Sequence, residues 1–128
     1  MTGVPPSDDL RPSQVLRVHR RADDAGIVVH VAGELDLLTA PDLDDELTKA
    51  RAEATPPRLL VVDLTELTFM GSVGLSILIT HDRLCREAGM ELRVVAGNRT
   101  IARTISQTGL DDTLTVYTTL AEALAPTS

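Results

Sequence analysis

The residues best suited to carry chemistry lie in one short turn, Gly71-Ser72-Val73-Gly74-Leu75, which we call the Ser72 turn. A helical pattern of apolar residues follows it, so Ser72 is predicted to stand at the start of a helix. A helix start has unpaired N–H groups and partial positive charge, which would stabilise a phosphate on the Ser72 hydroxyl. Gly71 and Gly74 would let a kinase or another partner approach the backbone closely.

A structural role for the same turn stays open. In that interpretation Ser72 is the helix N-cap, its hydroxyl accepts a hydrogen bond from a first-turn N–H, and the glycines form a tight turn. Spacing alone favours this structural role. The functional interpretation therefore needs support from other parts of the chain.

Catalysis and nucleotide binding fit the sequence less well. Neither a GxxxxGK[ST] nor a GxGxxG pattern is present, and the only lysine, Lys49, falls in another predicted helix. A serine hydrolase would need a histidine and a carboxylate beside Ser72, but no GxSxG elbow surrounds this serine. His19, His30 and His81 are predicted to be structural. The sequence therefore predicts a protein that is not an enzyme.

Metal and cofactor sites are not predicted either. The histidines lack the spacing of metal ligands, and the acidic cluster at Asp42, Asp44, Asp45 and Glu46 is typical of a helix start. Cys85 is the only cysteine, which excludes an intrachain disulfide and a cysteine cage. We expect a free, buried thiol in a reducing compartment, no metal and no cofactor.

Length and charge restrict the remaining classes of function. A chain of 128 residues is long enough for one domain, which we place at residues 15–125, between tails at residues 1–14 and 126–128. The net charge of −7 argues against direct binding to nucleic acid. No secretory signal or membrane-spanning run is present, which predicts a cytoplasmic protein without membrane insertion.

The predicted elements alternate between strands and helices. A β-hairpin is expected around the turn Asp23-Asp24-Ala25-Gly26, and a buried central strand at residues 59–64. The longest helix should run from about Ser72 to Ala88, where Gly89 stops it. Further helices should begin at Thr39, through a Thr-x-x-Asp capping pattern, at Asn98, and around residues 121–124, and strands are expected at residues 92–96 and 114–117. This order predicts an α/β fold with helices packed on a mixed sheet.

Two segments taken together resemble the paired signatures of the STAS domain family, in particular the bacterial anti-sigma factor antagonists. The first is Gly33-Glu34-Leu35-Asp36-Leu37-Leu38-Thr39-Ala40, and the second runs from Asp63-Leu64 to Phe69-Met70-Gly71-Ser72-Val73-Gly74-Leu75. A later stretch, Ile101-Ala102-Arg103-Thr104-Ile105 with Thr108-Gly109-Leu110-Asp111, is also similar. The resemblance implies a STAS-like single domain, with a small mixed sheet covered by helices largely on one face.

The resemblance also implies a function. Antagonists of this family bind an anti-sigma factor, usually a serine kinase with a kinase-type ATPase fold, and so release a sigma factor. The kinase switches them off by phosphorylating a serine that corresponds to Ser72. The implied contact surface comprises Asp36 and the segment Met70-Gly71-Ser72-Val73-Gly74-Leu75. We expect a monomer or a weak dimer.

The turn departs from the family pattern at two positions. Gly71 replaces an aspartate and Val73 replaces a second hydroxyl residue. These differences leave open a STAS protein-binding module that phosphorylation does not regulate. A STAS subunit of a lipid-transport or sensory complex is a further alternative, which the short chain permits.

Overall fold

The computed structural model describes residues 16–56 and 58–126, except for the side chain of Asp111. The predicted N-terminal tail lies outside these residues, as does most of the predicted C-terminal tail. In chain order, the elements are β1 (Arg17–Ala22), β2 (Gly26–Leu35), α1 (Ala40–Glu53), β3 (Leu59–Met70), α2 (Ser72–Glu87), β4 (Glu91–Val95), α3 (Arg99–Gln107), a short 3-10 turn (Leu110–Asp112), β5 (Thr115–Tyr117) and α4 (Leu120–Leu124).

The strands form one five-stranded mixed sheet in the order β1-β2-β3-β4-β5. β1 and β2 are antiparallel, and the predicted hairpin turn is closed by paired backbone bonds between Asp23 and Gly26. β2, β3, β4 and β5 are mutually parallel, because each is joined to the next by a helical crossover. The predicted central strand, β3, does lie in the middle of the sheet.

β3 is longer than the sequence predicts. Its apolar run ends at Leu64, but pairing with β2 continues to Leu35↔Met70 through two register shifts. The Asn98 amide helps to hold this extension, since it donates to the carbonyls of Thr65 at 2.9 Å and Leu67 at 3.0 Å. The extended strand carries the chain directly to the Ser72 turn.

The two faces of the sheet are covered unequally. On the core face, aliphatic side chains of the strands pack against α1, α2 and α3 in one large cluster. On the opposite face, which we call the second face, Val28, Val61 and Val95 are covered by Ala123 of the short helix α4. The expected STAS-like arrangement is confirmed. Within the described residues, no helix is both long and apolar enough to cross a membrane.

Two predicted helix ends are confirmed. The Asn98 side chain accepts a hydrogen bond of 2.8 Å from the Ile101 N–H, as expected of an N-cap. Gly89 follows α2 in the left-handed conformation, and Met90 N–H donates to the Cys85 carbonyl. This bond identifies a Schellman ending, which requires a residue that tolerates positive φ.

Candidate docking surface around Ser72

Two parallel strands place the Ser72 turn at one edge of the sheet. β2 ends at Leu35 and β3 at Met70, and the Gly71 N–H donates a hydrogen bond of 2.9 Å to the Leu35 carbonyl. The loop after β2 and the start of α2 therefore meet beyond the carboxyl ends of the strands. In parallel α/β sheets this edge is where binding sites usually form.

Ser72 is the first residue of α2, and Gly71 is the N-cap, with extended backbone angles of φ −79° and ψ 173°. The Ser72 side chain is exposed, and its hydroxyl bonds to none of the residues that the structure describes. The interpretation of Ser72 as a side-chain N-cap is therefore wrong, because Gly71 occupies that position. The hydroxyl is left available at a helix start that favours negative charge.

The two glycines of the turn have different roles. A Cβ on Gly74 would lie 2.5 Å from Leu35 Cδ2 and 2.9 Å from Met70 Cγ, so α2 can pack this closely only on a glycine. A Cβ on Gly71 would come no nearer than 3.6 Å to the Phe69 ring, which is an ordinary contact. Gly74 therefore serves packing against the core, whereas we expected it to admit a partner.

Burial separates the predicted contact residues into two groups. Met70, Gly74 and Leu75 are buried and support the turn from below. Asp36, Gly71 and Val73 are half-buried and, with the exposed Ser72, line a surface depression of about 390 Å³. Of the residues expected to form the contact surface, the structure thus brings Asp36 and three turn residues together at the surface.

The Asp36 carboxylate orders the loop that follows β2. Its Oδ1 accepts hydrogen bonds from the N–H groups of Leu38 at 3.0 Å and Thr39 at 3.1 Å. The Thr39 hydroxyl donates to the Glu34 carbonyl at 2.8 Å and accepts from the Asp36 N–H at 3.0 Å. The predicted Thr39 capping box is wrong, because this hydroxyl ties down the loop and makes no cap bond to α1.

Sequence reasoning missed the apolar part of this surface. Leu37 is 79% exposed, Leu38 81% and Phe69 51%, and among the described residues these are the exposed large hydrophobic side chains. All three line the Ser72 depression. One signal was available, since Leu37 and Leu38 are adjacent apolar residues between a strand and a helix cap, where neither periodic pattern would bury them.

The histidines and the cysteine lie elsewhere. His30 pairs with Asp63 on the second face, at 3.2 Å between Nδ1 and Oδ2, and its ring stacks on His19 at 5.0 Å between centroids. His81 is buried between α1 and α2 and bonds to Asp44. Cys85 is buried as expected, and burial raises the pKa of its thiol to about 11. A thiol in this state is a poor nucleophile at neutral pH.

Comparisons with known proteins identify the family of this chain. A sequence model described as the STAS domain matches residues 15–123. The anti-sigma-F factor antagonist RsfA of Mycobacterium tuberculosis is 35% identical over 115 residues, which cover 90% of this chain and 90% of that protein. The anti-sigma-B factor antagonist of Staphylococcus aureus is 31% identical over 101 residues, or 79% of this chain and 92% of the relative.

A solved structure shows the same fold. The crystal structure of an anti-sigma factor antagonist from Mycobacterium paratuberculosis superimposes with a TM-score of 0.79 and 37% sequence identity. The match covers 87% of this chain and 92% of that structure.

Proposed function

Because this chain belongs to the STAS domain family, we propose that it is an anti-sigma factor antagonist, which binds an anti-sigma factor and thereby releases a sigma factor. The observation that carries the proposal is the Ser72 hydroxyl, exposed at a helix start and surrounded by uncovered apolar side chains. The names of the most similar relatives support the same activity.

The apolar side chains of the depression suit a protein partner. Leu37, Leu38 and Phe69 expose more than half of their surface to water, which costs free energy until a partner covers them. The Asp36 hydrogen bonds order residues 36–39, which we call the leucine loop, so little conformational freedom is lost on binding. Contiguous exposed apolar side chains of this kind are typical of a protein-interaction site.

Phosphorylation of Ser72 by a kinase-type anti-sigma factor would switch this surface off. Phosphate carries about −1.5 to −2 charges at neutral pH, and here it would stand among Leu37, Leu38, Phe69 and Val73. A partner that covers the depression would have to remove water from that charge, which is costly. Release of the partner follows from this desolvation. We place this cycle in the cytoplasm.

The test is to incubate the purified chain with its anti-sigma factor and ATP, and to map phosphate by mass spectrometry. Calorimetry then gives the affinity of the Ser72→Asp and Ser72→Ala variants. We expect phosphate on Ser72, binding at least about tenfold weaker for Ser72→Asp, and near-normal binding for Ser72→Ala. Ser106→Asp is the matched control, because Ser106 is an exposed serine of α3 that lines neither the Ser72 depression nor the groove beside it. Normal binding of Ser72→Asp together with an unmodified Ser72 would exclude the switch.

A second candidate function is a STAS module that binds its partner without regulation by phosphate. The residues that favour it are Gly71 and Val73, which remove a carboxylate and a hydroxyl from the family pattern beside Ser72. It predicts that ATP does not weaken the complex. A Gly71→Asp variant that gains phosphorylation, where the natural chain shows none, would support this second candidate.

A further inference from the structure

A second groove adjoins the Ser72 depression. It lies between α1 and α2, has a volume of about 360 Å³ and is lined by Leu37, Ala40, Pro41, Asp44, Val73, Ser76, Ile77 and Thr80. Leu37 and Val73 line both this groove and the Ser72 depression. The two depressions therefore form one continuous surface, and a partner seated at Ser72 can extend along α2.

The groove has the length of a short helix. Ser72, Ser76 and Thr80 are exposed and follow one another at intervals of four residues along α2. At 1.5 Å per residue, this edge extends over about 12 Å, or roughly two helical turns. Val73 and Ile77 stand one turn apart and are partly buried against the core, so they offer apolar contacts at helical spacing.

The rim of the groove carries a positioned negative charge. The Asp44 side chain is 55% exposed, and its Oδ1 lies 2.7 Å from Nε2 of the buried His81. Arg51 Nε donates to His81 Nδ1 at 3.0 Å, so the hydrogen of a neutral His81 is on Nε2 and is donated to Asp44. These two hydrogen bonds orient the Asp44 carboxylate while leaving it open to solvent.

No basic group balances this charge within the described parts of the groove. The arginines and the lysine of α1 and α2 all lie in the C-terminal halves of these helices, and each has a partner of its own. These pairs are Lys49–Glu46, Arg51–His81, Arg83–Glu87 and Arg86–Asp82. The N-terminal halves form most of the groove, and α1 carries the exposed Asp42 and Asp45 near it, outside its lining.

We propose that this groove receives an amphipathic helix of the anti-sigma factor. Apolar side chains of that helix would pack against Val73 and Ile77, and a lysine or arginine of the helix would pair with Asp44. The inference rests on the proposed function and adds the chemistry of the bound segment. An apolar groove with an acidic rim matches a helix whose apolar face is flanked by basic residues. A second copy of this chain fits less well, because two acidic rims would face each other.

Opposite charges at Thr80 give a direct test. Thr80 is exposed, so lysine or glutamate is accommodated there without loss of core packing. Thr80→Lys would neutralise the rim and repel a basic helix, and we expect at least about tenfold weaker binding to the anti-sigma factor. Thr80→Glu should bind as tightly as the natural chain or more tightly. Ser106→Lys and Ser106→Glu, at an exposed position of α3, are matched controls that should bind equally.

Asp44 is tested by removing its charge while keeping its shape. Asp44→Asn retains an oxygen that accepts from His81, so the loss of binding reports the charge itself. We expect binding about three- to fivefold weaker at low salt, and a difference that disappears at high salt. Asp45→Asn, a neighbouring exposed carboxylate outside the groove, should change affinity less.

The outcomes distinguish this inference from the proposed function. Equal binding by both Thr80 variants would overturn the groove while leaving the anti-sigma partner in place. If no anti-sigma factor binds at all, the proposed function fails.

A synthetic helix of about 14 residues, built from leucine and lysine, then tests the groove alone. NMR chemical-shift changes on adding this peptide that are confined to Ser76, Ile77 and Thr80 would support the groove. Shifts elsewhere, or equal shifts with glutamate in place of lysine, would overturn it.

Discussion

A larger depression and the Ser72 depression lie on different parts of the sheet and differ in chemistry. The larger, of about 590 Å³, lies on the second face and is lined by His19, His30, Asp63, Glu66 and neighbouring residues. The Ser72 depression is about 390 Å³. By volume alone the second face would be the better candidate for a binding site.

In the larger depression, His30 and Asp63 have hydrogen-bond partners. Arg21 Nε donates to His30 Nε2 at 3.2 Å, and His30 Nδ1 pairs with Asp63, which also accepts from the Thr65 N–H. Around Ser72, by contrast, three large apolar side chains are exposed. Exposed apolar surface, more than volume, therefore supports the Ser72 turn as the proposed docking region.

The largest expected effect on binding comes from replacing the exposed leucines of the Ser72 depression. A Leu37→Glu, Leu38→Glu double variant should bind the anti-sigma factor about thirtyfold more weakly or worse, because buried carboxylates would replace two anchors. Both side chains are exposed, so the thermal midpoint should hardly change. Calorimetry and a thermal melt measure the two effects. His19→Ala on the second face is the control, and a greater loss of binding there would reverse the assignment.

The next effect concerns stability and distinguishes the two glycines. Gly74→Ala places a methyl group 2.5 Å from Leu35 Cδ2 and should lower the free energy of unfolding by about 1–3 kcal/mol. Gly71→Asp should leave stability unchanged or raise it by up to about 1 kcal/mol, since aspartate is a favoured N-cap. Urea denaturation compares them. Equal losses in both variants would show that close packing does not explain Gly74.

A smaller effect is expected at Asp36. Asp36→Ala removes two loop hydrogen bonds and should cost about 1–2 kcal/mol of stability, with binding a fewfold weaker as the leucine loop loosens. Asp36→Asn keeps an acceptor oxygen and should recover most of both losses. If the asparagine variant binds as poorly as the alanine variant, the charge of Asp36 contacts the partner directly. Denaturation and titration of both variants decide between these roles.

Much of the fold follows from local sequence patterns. The hairpin turn, the buried β3 run, the Asn98 cap and the Gly89 ending depend on neighbours in the chain, and the structure has them as predicted. The extension of β3 to Met70 was not predictable in this way. It depends on pairing with β2 and on the Asn98 amide, which comes from more than 30 residues away.

The candidate site was less predictable for the same reason. The position of Ser72 at a helix start follows from periodicity, but the role of Gly74 depends on how close Leu35 comes to it across the sheet. The exposure of Leu37 and Leu38 depends on the Asp36 and Thr39 hydrogen bonds, which form only when the loop is folded. A sequence pattern identifies the residues that take part in such contacts, but it does not show how close they come in the folded chain.

The central claim is that the partner covers the Ser72 turn and the leucine loop, and hydrogen–deuterium exchange tests it most directly. With the anti-sigma factor bound, we expect amides at residues 36–39 and 71–74 to exchange at least about tenfold more slowly. Amides of the edge strand β1, which borders the larger depression, should exchange as they do in the free chain. Protection of β1 with none at residues 71–74 would contradict the account.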